Sequence, residues 1–175
     1  MKKIMIAGLM AMSVLSVQAM ELTSNNIFEG SRMSKRFEFN GFGCSGSNMS
    51  PALVWSNAPK GTKSFAVTMY DPDAPTISGF WHWVVIDLPA TKTSLKTGES
   101  GKITRGIERI NDYGIKGFGG ACPPKGDGMH RYQVTVWALP DATLGVPDNA
   151  SNAVVGFMLN AKALASKTIT STYVR

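Results

Sequence analysis

Alternation of apolar and polar side chains dominates the middle of the chain. In residues 64–70, Phe65, Val67 and Met69 share one face, and in residues 131–137, Tyr132, Val134 and Val136 alternate with Arg131, Gln133 and Thr135. A period of two marks a strand with one buried face. Residues 83–88 are rich in β-branched side chains and stop at Pro89, while 53–55, 37–39 and 168–174 read as further strands. One segment carries the helical period instead. Across residues 151–165, Val154, Phe157, Met158, Ala161, Leu164 and Ala165 fall on a single face. Asp148, Asn149 and Ser151 offer caps and Pro147 stops what precedes, so this stripe is predicted to pack on a sheet. Residues 91–106 are polar, glycine-dotted and aperiodic, and read as a surface loop. Many strands with one late helix predict a mainly β, sandwich-like domain.

The N-terminus stands apart from this pattern. Lys2 and Lys3 precede an apolar run from Ile4 to Val17, followed by Gln18 and Ala19. That run is shorter than the roughly 20 residues a membrane-spanning helix needs. Residues 1–19 therefore read as a signal peptide cut after Ala19, leaving 20–175 as a single domain. Met20 follows the cut, so nothing marks a lipid-anchored mature end. The expected address is the periplasm, with no stable membrane insertion.

Export changes how charge and cysteine are read. Without Lys2 and Lys3 the balance is 16 basic against 12 acidic residues, a net charge of +4. Those charges are spread along the chain without a basic run interleaved with aromatics, so nucleic acid is not an expected partner. Cys44 and Cys122 are the only cysteines. An oxidising compartment favours their pairing, which would tether the glycine-rich segment around Cys122. The alternative, a catalytic thiol, has no histidine near it in sequence.

Candidate chemistry concentrates around the two histidines, His82 and His130. Asp71 has the parity of Phe65, Val67 and Met69; His82 that of Val84, Ile86 and Leu88; His130 that of Tyr132, Val134 and Val136. Without an intervening bulge, all three polar groups stand at strand ends on the core-facing side, where they need partners. Gly117, Gly119 and Gly120 permit a close-approaching backbone whose amides could cradle an anion. Pro123 and Pro124 stiffen that wall. Histidine and tyrosine can donate to phosphate oxygens. Asp71 repels a bare phosphate unless it orients a histidine or meets an ammonium group. A zwitterionic phosphate ester meets both demands. Trp55, Trp81, Trp83 and Trp137 read as packing rather than as stacking platforms, and Asp73 as a turn residue.

The blocks Asp71-Pro72-Asp73-Ala74-Pro75, Trp81-His82-Trp83, Gly117-Phe118-Gly119-Gly120, Pro123-Pro124-Lys125-Gly126 and Gly128-Met129-His130-Arg131-Tyr132 resemble the signatures of the phosphatidylethanolamine-binding protein family. More narrowly, the chain is similar to its bacterial Raf-kinase-inhibitor-like branch, in the exported form. The likeness runs from about Leu22 to the C-terminus. It implies a β-sandwich with a late helix, short peripheral helices and a small anion pocket at one end. Asp71, Pro75, His82, Pro123, His130 and Tyr132 would line that pocket, with backbone from Gly119 and Gly120. The resemblance also makes Ala74–Pro75 a candidate cis bond. Two departures stand out. Trp81 and Trp83 bracket His82 and would make the rim more aromatic, and Ile110 occupies a place where relatives often carry arginine, although Arg109 is adjacent.

These readings point to an exported protein that binds a small anionic or zwitterionic phosphate-containing ligand, with a modulatory or inhibitory role. It is expected to need no cofactor or metal and to perform no catalysis. A protease-inhibitor or other protein-interaction module is one alternative, with the partner unknown. A weak hydrolase using a pocket histidine is another, but no Gly-x-Ser-x-Gly elbow supplies a nucleophile.

Overall fold

The computed structural model describes residues 19–175. The expected signal peptide, residues 1–19, lies outside the described residues except for Ala19. The described chain folds as β1 (Glu21–Thr23), β2 (Asn40–Gly41), β3 (Cys44–Ser45), β4 (Leu53–Ser56), β5 (Ser64–Asp71), β6 (Phe80–Pro89), β7 (Ser94–Leu95), β8 (Ile107–Glu108), β9 (His130–Leu139), α1 (Asn152–Lys162) and β10 (Ala165–Tyr173).

Two sheets enclose the main core. One has the order β1-β4-β7 and the other β10-β9-β5-β6-β8; β2 and β3 form a small hairpin. Leu22, Leu53, Trp55 and Leu95 from the first sheet meet Phe65, Val67, Met69, Trp83, Val85, Val134 and Val136 from the second. A smaller cluster fills the opposite side of the larger sheet, where Ala66, Val84 and Ile86 pack under Val155 and Leu159 of α1. The larger sheet is thus covered on both faces along β5 and β6. Cys44 and Cys122 are joined, with Cα atoms 6.0 Å apart.

Four local expectations are corrected. Residues 37–39 are not a strand: Lys35–Phe37 form a 3-10 turn that seats Phe37 in the core, and only Glu38 bridges to Ala121. Residues 91–106 are not loop throughout, since Ser94–Leu95 pair with β4 and Leu95 is buried. The helix forms with Ser151 as its cap, the side chain accepting from the Val154 N–H. Its buried stripe, however, is Asn152, Val155, Gly156 and Leu159, leaving Phe157 70% exposed. The physical reason is Trp81, which lies so close to Gly156 that an added Cβ would sit 2.7 Å from the indole. That contact turns the slender side of the helix toward the sheet. Fourth, Ala74–Pro75 is trans, and the Thr76 N–H closes the turn on the Ala74 carbonyl at 2.6 Å.

Parity along β6 also departs from the sequence reading. Phe65 faces Leu88 and Val67 faces Val85, so β6 spends one extra residue there, at Asp87, whose φ is +59°. Met69 faces Trp83 and Tyr70 faces Trp81, so His82 is itself an extra residue. Each bulge reverses the face that follows. Val84 and Ile86 therefore point under the helix, while Leu88 and His82 turn back toward the sandwich side.

Candidate functional site

The ends of β5, β6 and β9 and the loops beside them surround a cavity of about 180 Å³. Asp71, Pro75, His82, Pro123, His130 and Tyr132 all line it. His130 and Tyr132 arrive by simple alternation on β9, whose pairing with β5 keeps register throughout. His82 arrives through its bulge. Without that extra residue it would point under the helix with Val84.

Asp71 ends β5 in a turn built by its own side chain, Oδ1 accepting the Asp73 N–H at 2.8 Å. Its Oδ2 lies 2.7 Å from His130 Nδ1, with both side chains 3% exposed. The other ring nitrogen, Nε2, lies 3.1 Å from Asp127 Oδ2. An imidazole facing carboxylates at both nitrogens satisfies both only as a cation. Burial opposes the charge, but the hydrogen bond and charge of Asp71, joined by Asp127, raise the His130 pKa. Asp73 turns outward and clamps the loop to β9, taking Arg131 Nη2 at 2.7 Å and Nε at 2.9 Å. This bidentate pair holds the Asp73 carboxyl down at about 2 against the opposing effect of burial.

His82 is treated in the opposite way. Its Nδ1 lies 2.9 Å from the Gly119 carbonyl and 3.1 Å from that of Gly120. Both are acceptors, so Nδ1 carries the proton and donates. The rings of Phe80, Tyr113 and Tyr132 surround it at centroid distances of 5.0, 5.4 and 5.1 Å. Burial in this aromatic cage pushes the His82 pKa down to about 4. At neutral pH, Nε2 therefore presents a lone pair.

Tyr132 supplies the complementary group. It is fully buried, and its hydroxyl makes no well-formed hydrogen bond among the described residues, Asp71 being the group that engages it loosely. Burial and the neighbouring Asp71 charge push its pKa well above the ordinary value, so the hydroxyl keeps its proton. The cavity thus offers one loosely held donor, one uncommitted acceptor and a carboxylate–imidazolium pair.

Gly119 and Gly120 take a different part from the one their sequence suggested. The Gly119 N–H donates to the His82 carbonyl at 2.8 Å and the Gly120 N–H to Asn48 Oδ1 at 2.7 Å. Neither amide is free for an anion; the pair orients His82 instead. Glycine is needed because an added Cβ at Gly120 would lie 2.3 Å from the Phe37 carbonyl. Trp81 and Trp83 do not make the rim. Trp83 is fully buried and donates to Glu108, and Trp81 packs against Tyr70 and α1. Arg109 reaches away, donating to the Pro147, Asp148 and Ala150 carbonyls before α1.

Phe80, Tyr113 and Asp127 are the site residues that pattern reading passed over. Tyr113 stacks on Phe39 at 4.0 Å and donates to the Gly120 carbonyl at 3.1 Å. Only the motif spacing of Asp127, three residues before His130, could have pointed to any of them. Replacing Asp71 with Asn is expected to lower the His130 pKa, because a neutral amide stabilises imidazolium less. An imidazole NMR titration reads this directly, and an unmoved midpoint would show that Asp71 does not set the charge.

The comparisons agree on the family. The model for "Phosphatidylethanolamine-binding protein" matches residues 23–174. The chain is 48% identical over 180 residues to YbcL of Escherichia coli, covering 99% of this chain and 98% of the relative. YbhB of the same organism is 46% identical over 158 residues, covering 88% and 99%. The crystal structure of YbcL, described as a new member of the mammalian family, superposes with a TM-score of 0.86 at 49% identity, covering 90% of this chain and 99% of that one. A Mycobacterium tuberculosis protein described as lipoprotein LppC is 36% identical over 111 residues, covering 63% of this chain and 52% of the relative. No helix among the described residues is long and apolar enough to cross a membrane. With a family model spanning nearly all the described residues, a full-length relative at 48% identity and the same fold, the chain belongs to the phosphatidylethanolamine-binding protein family.

Proposed function

We propose that this chain is an exported binding protein whose cavity takes a small phosphate ester, with a modulatory rather than a catalytic role. The observation that carries the reading is that a protonated Tyr132 hydroxyl, only loosely engaged by Asp71, and the His82 Nε2 lone pair line one cavity. A phosphate oxygen accepts from the tyrosine. A protonated phosphate oxygen donates to the histidine. Asp71 adds no net repulsion because His130 neutralises it. Binding is favoured over hydrolysis because a base held near pKa 4 is weak, and Tyr132 keeps its proton too firmly to act as a nucleophile. The disulfide and the kinship with a protein described as a lipoprotein support export, and the periplasm is the compartment proposed.

Titration calorimetry with phosphoethanolamine tests the reading. Tyr132→Phe is expected to weaken binding by about tenfold, the scale of one hydrogen bond to a charged oxygen. Affinity is expected to fall as pH rises through the second phosphate pKa near about 6, where the ester loses the proton it offers His82. Absence of binding at millimolar ligand, or a Tyr132→Phe variant that binds as tightly as the parent, overturns it.

A further inference from the structure

A second cavity of about 330 Å³ adjoins the first. The two share Phe80, Tyr113, Cys122 and Pro124 as a common wall, and the second adds Phe42, Asp112 and Arg175. Arg175 is the only lysine or arginine lining either cavity among the described residues.

The Arg175 guanidinium is poorly matched by the protein around it. Nη1 donates to Cys44 Sγ at 2.9 Å and to Cys122 Sγ at 3.6 Å, and sulfur is a weak acceptor. Nε is buried without an acceptor. Among the described residues no carboxylate comes within 4.0 Å of it. The acidic groups in the region make their hydrogen bonds elsewhere, and Glu38 meets Arg175 only through longer-range charge attraction. Glu38 accepts from the Tyr173 hydroxyl and the Ser45 N–H. Asp112 accepts from the Trp81 N–H and from Asn152. A guanidinium is a rigid fork suited to a planar carboxylate, and disulfide sulfurs do not fill that role.

We infer that the ligand spans both cavities and carries a carboxylate that Arg175 receives. The inference rests on the phosphate-ester reading and names the substrate class: a small phosphate ester with a carboxylate a few bonds from phosphorus. The phosphate sits between Tyr132 and His82. The chain then passes along Tyr113 and Cys122, and the carboxylate meets the guanidinium. Phosphoethanolamine, which lacks the carboxylate, fills only the first cavity.

Calorimetry of the oxidised protein with O-phosphoserine and phosphoethanolamine, on the parent, Arg175→Gln and Arg175→Lys, tests this. The parent is expected to prefer O-phosphoserine by about tenfold. Arg175→Gln removes that preference while leaving phosphoethanolamine affinity unchanged, which also shows the first cavity intact. Arg175→Lys keeps the charge but not the fork, and retains part of the preference. If the parent does not discriminate, or if Arg175→Gln lowers both affinities equally, the Arg175 assignment fails while the phosphate reading stands. If neither compound binds the parent, both fall.

Discussion

Removing the Cys44–Cys122 bridge, by reduction or by changing both cysteines to alanine, is expected to lower the unfolding free energy by about 4–5 kcal/mol. The bridge closes a loop with a sequence separation of 78, and loop-closure entropy of the unfolded chain gives this figure. The effect is large relative to the roughly 5–15 kcal/mol that holds a domain of ordinary stability together. It also has a local component. Cys122 lines both cavities, and the bridge ties the Pro123–Pro124 wall to the β2–β3 hairpin. Phosphoethanolamine affinity should therefore fall in the bridge-free protein even where it remains folded. Urea unfolding of oxidised and reduced protein provides the measurement. A difference below about 1 kcal/mol would mean that unstrained packing, rather than the crosslink, sets stability.

The second large effect is acid destabilisation through His82. In the unfolded chain this histidine titrates near its ordinary 6.5, and in the fold near about 4. Between these values the unfolded state binds a proton that the folded state refuses, so stability falls with falling pH. The full shift is worth about 3 kcal/mol, with about 2 kcal/mol of it lost between pH 6.5 and 4.5. Other groups act outside that window. The raised pKa of His130 gives stability that is fully present below 6.5 and is lost as pH rises through its folded value. Asp73, Glu38 and Glu99 have lowered values, so their contribution is lost only as pH falls below about 4.5. His82→Gln should therefore start less stable at pH 7 yet show a nearly flat profile from pH 6.5 to 4.5. An equal slope in parent and variant would rule His82 out as the acid trigger.

Both effects bear on where the molecule keeps its polar groups. A histidine held neutral by burial, a second held charged by two carboxylates and a tyrosine with only a loose contact to Asp71 are costly in a folding domain. Their convergence on one cavity, beside a disulfide and an under-matched arginine, is the arrangement on which the proposed binding role rests.

Much of this was legible along the chain. The strands at residues 64–70 and 131–137 declared themselves because β alternation is local, that at 83–88 by its β-branched residues, and the helix near 151–165 by its period and its serine cap. The pairing of Cys44 with Cys122 followed from the count of cysteines and the expected compartment. The set Asp71, Pro75, His82, Pro123, His130 and Tyr132 came from spaced motifs and a family likeness, and the fold does collect them. What the chain did not show is the facing of side chains that a packing or pairing partner sets. The buried stripe of α1 was misassigned because Trp81, some 75 residues away, decides which side of the helix fits. The parity of His82 could not be read through two bulges, since an extra residue in β6 is defined only against β5.

The sequence by itself determined the periodic elements, the cysteine pair and which residue types stand ready for chemistry, because those properties reside in neighbouring residues and in composition. Only the tertiary structure decided the protonation of each histidine, the commitment of the Gly119 and Gly120 amides, the entry of Tyr113 and the placement of Arg175 beside the cavity. The physical reason is that a hydrogen bond or a pKa belongs to a group together with its surroundings, and here those surroundings come from segments far apart along the chain. His82 and His130 are the same side chain at two strand ends. Burial among aromatic rings keeps one neutral and the carbonyls fix which nitrogen holds its proton, while two carboxylates make the other a cation.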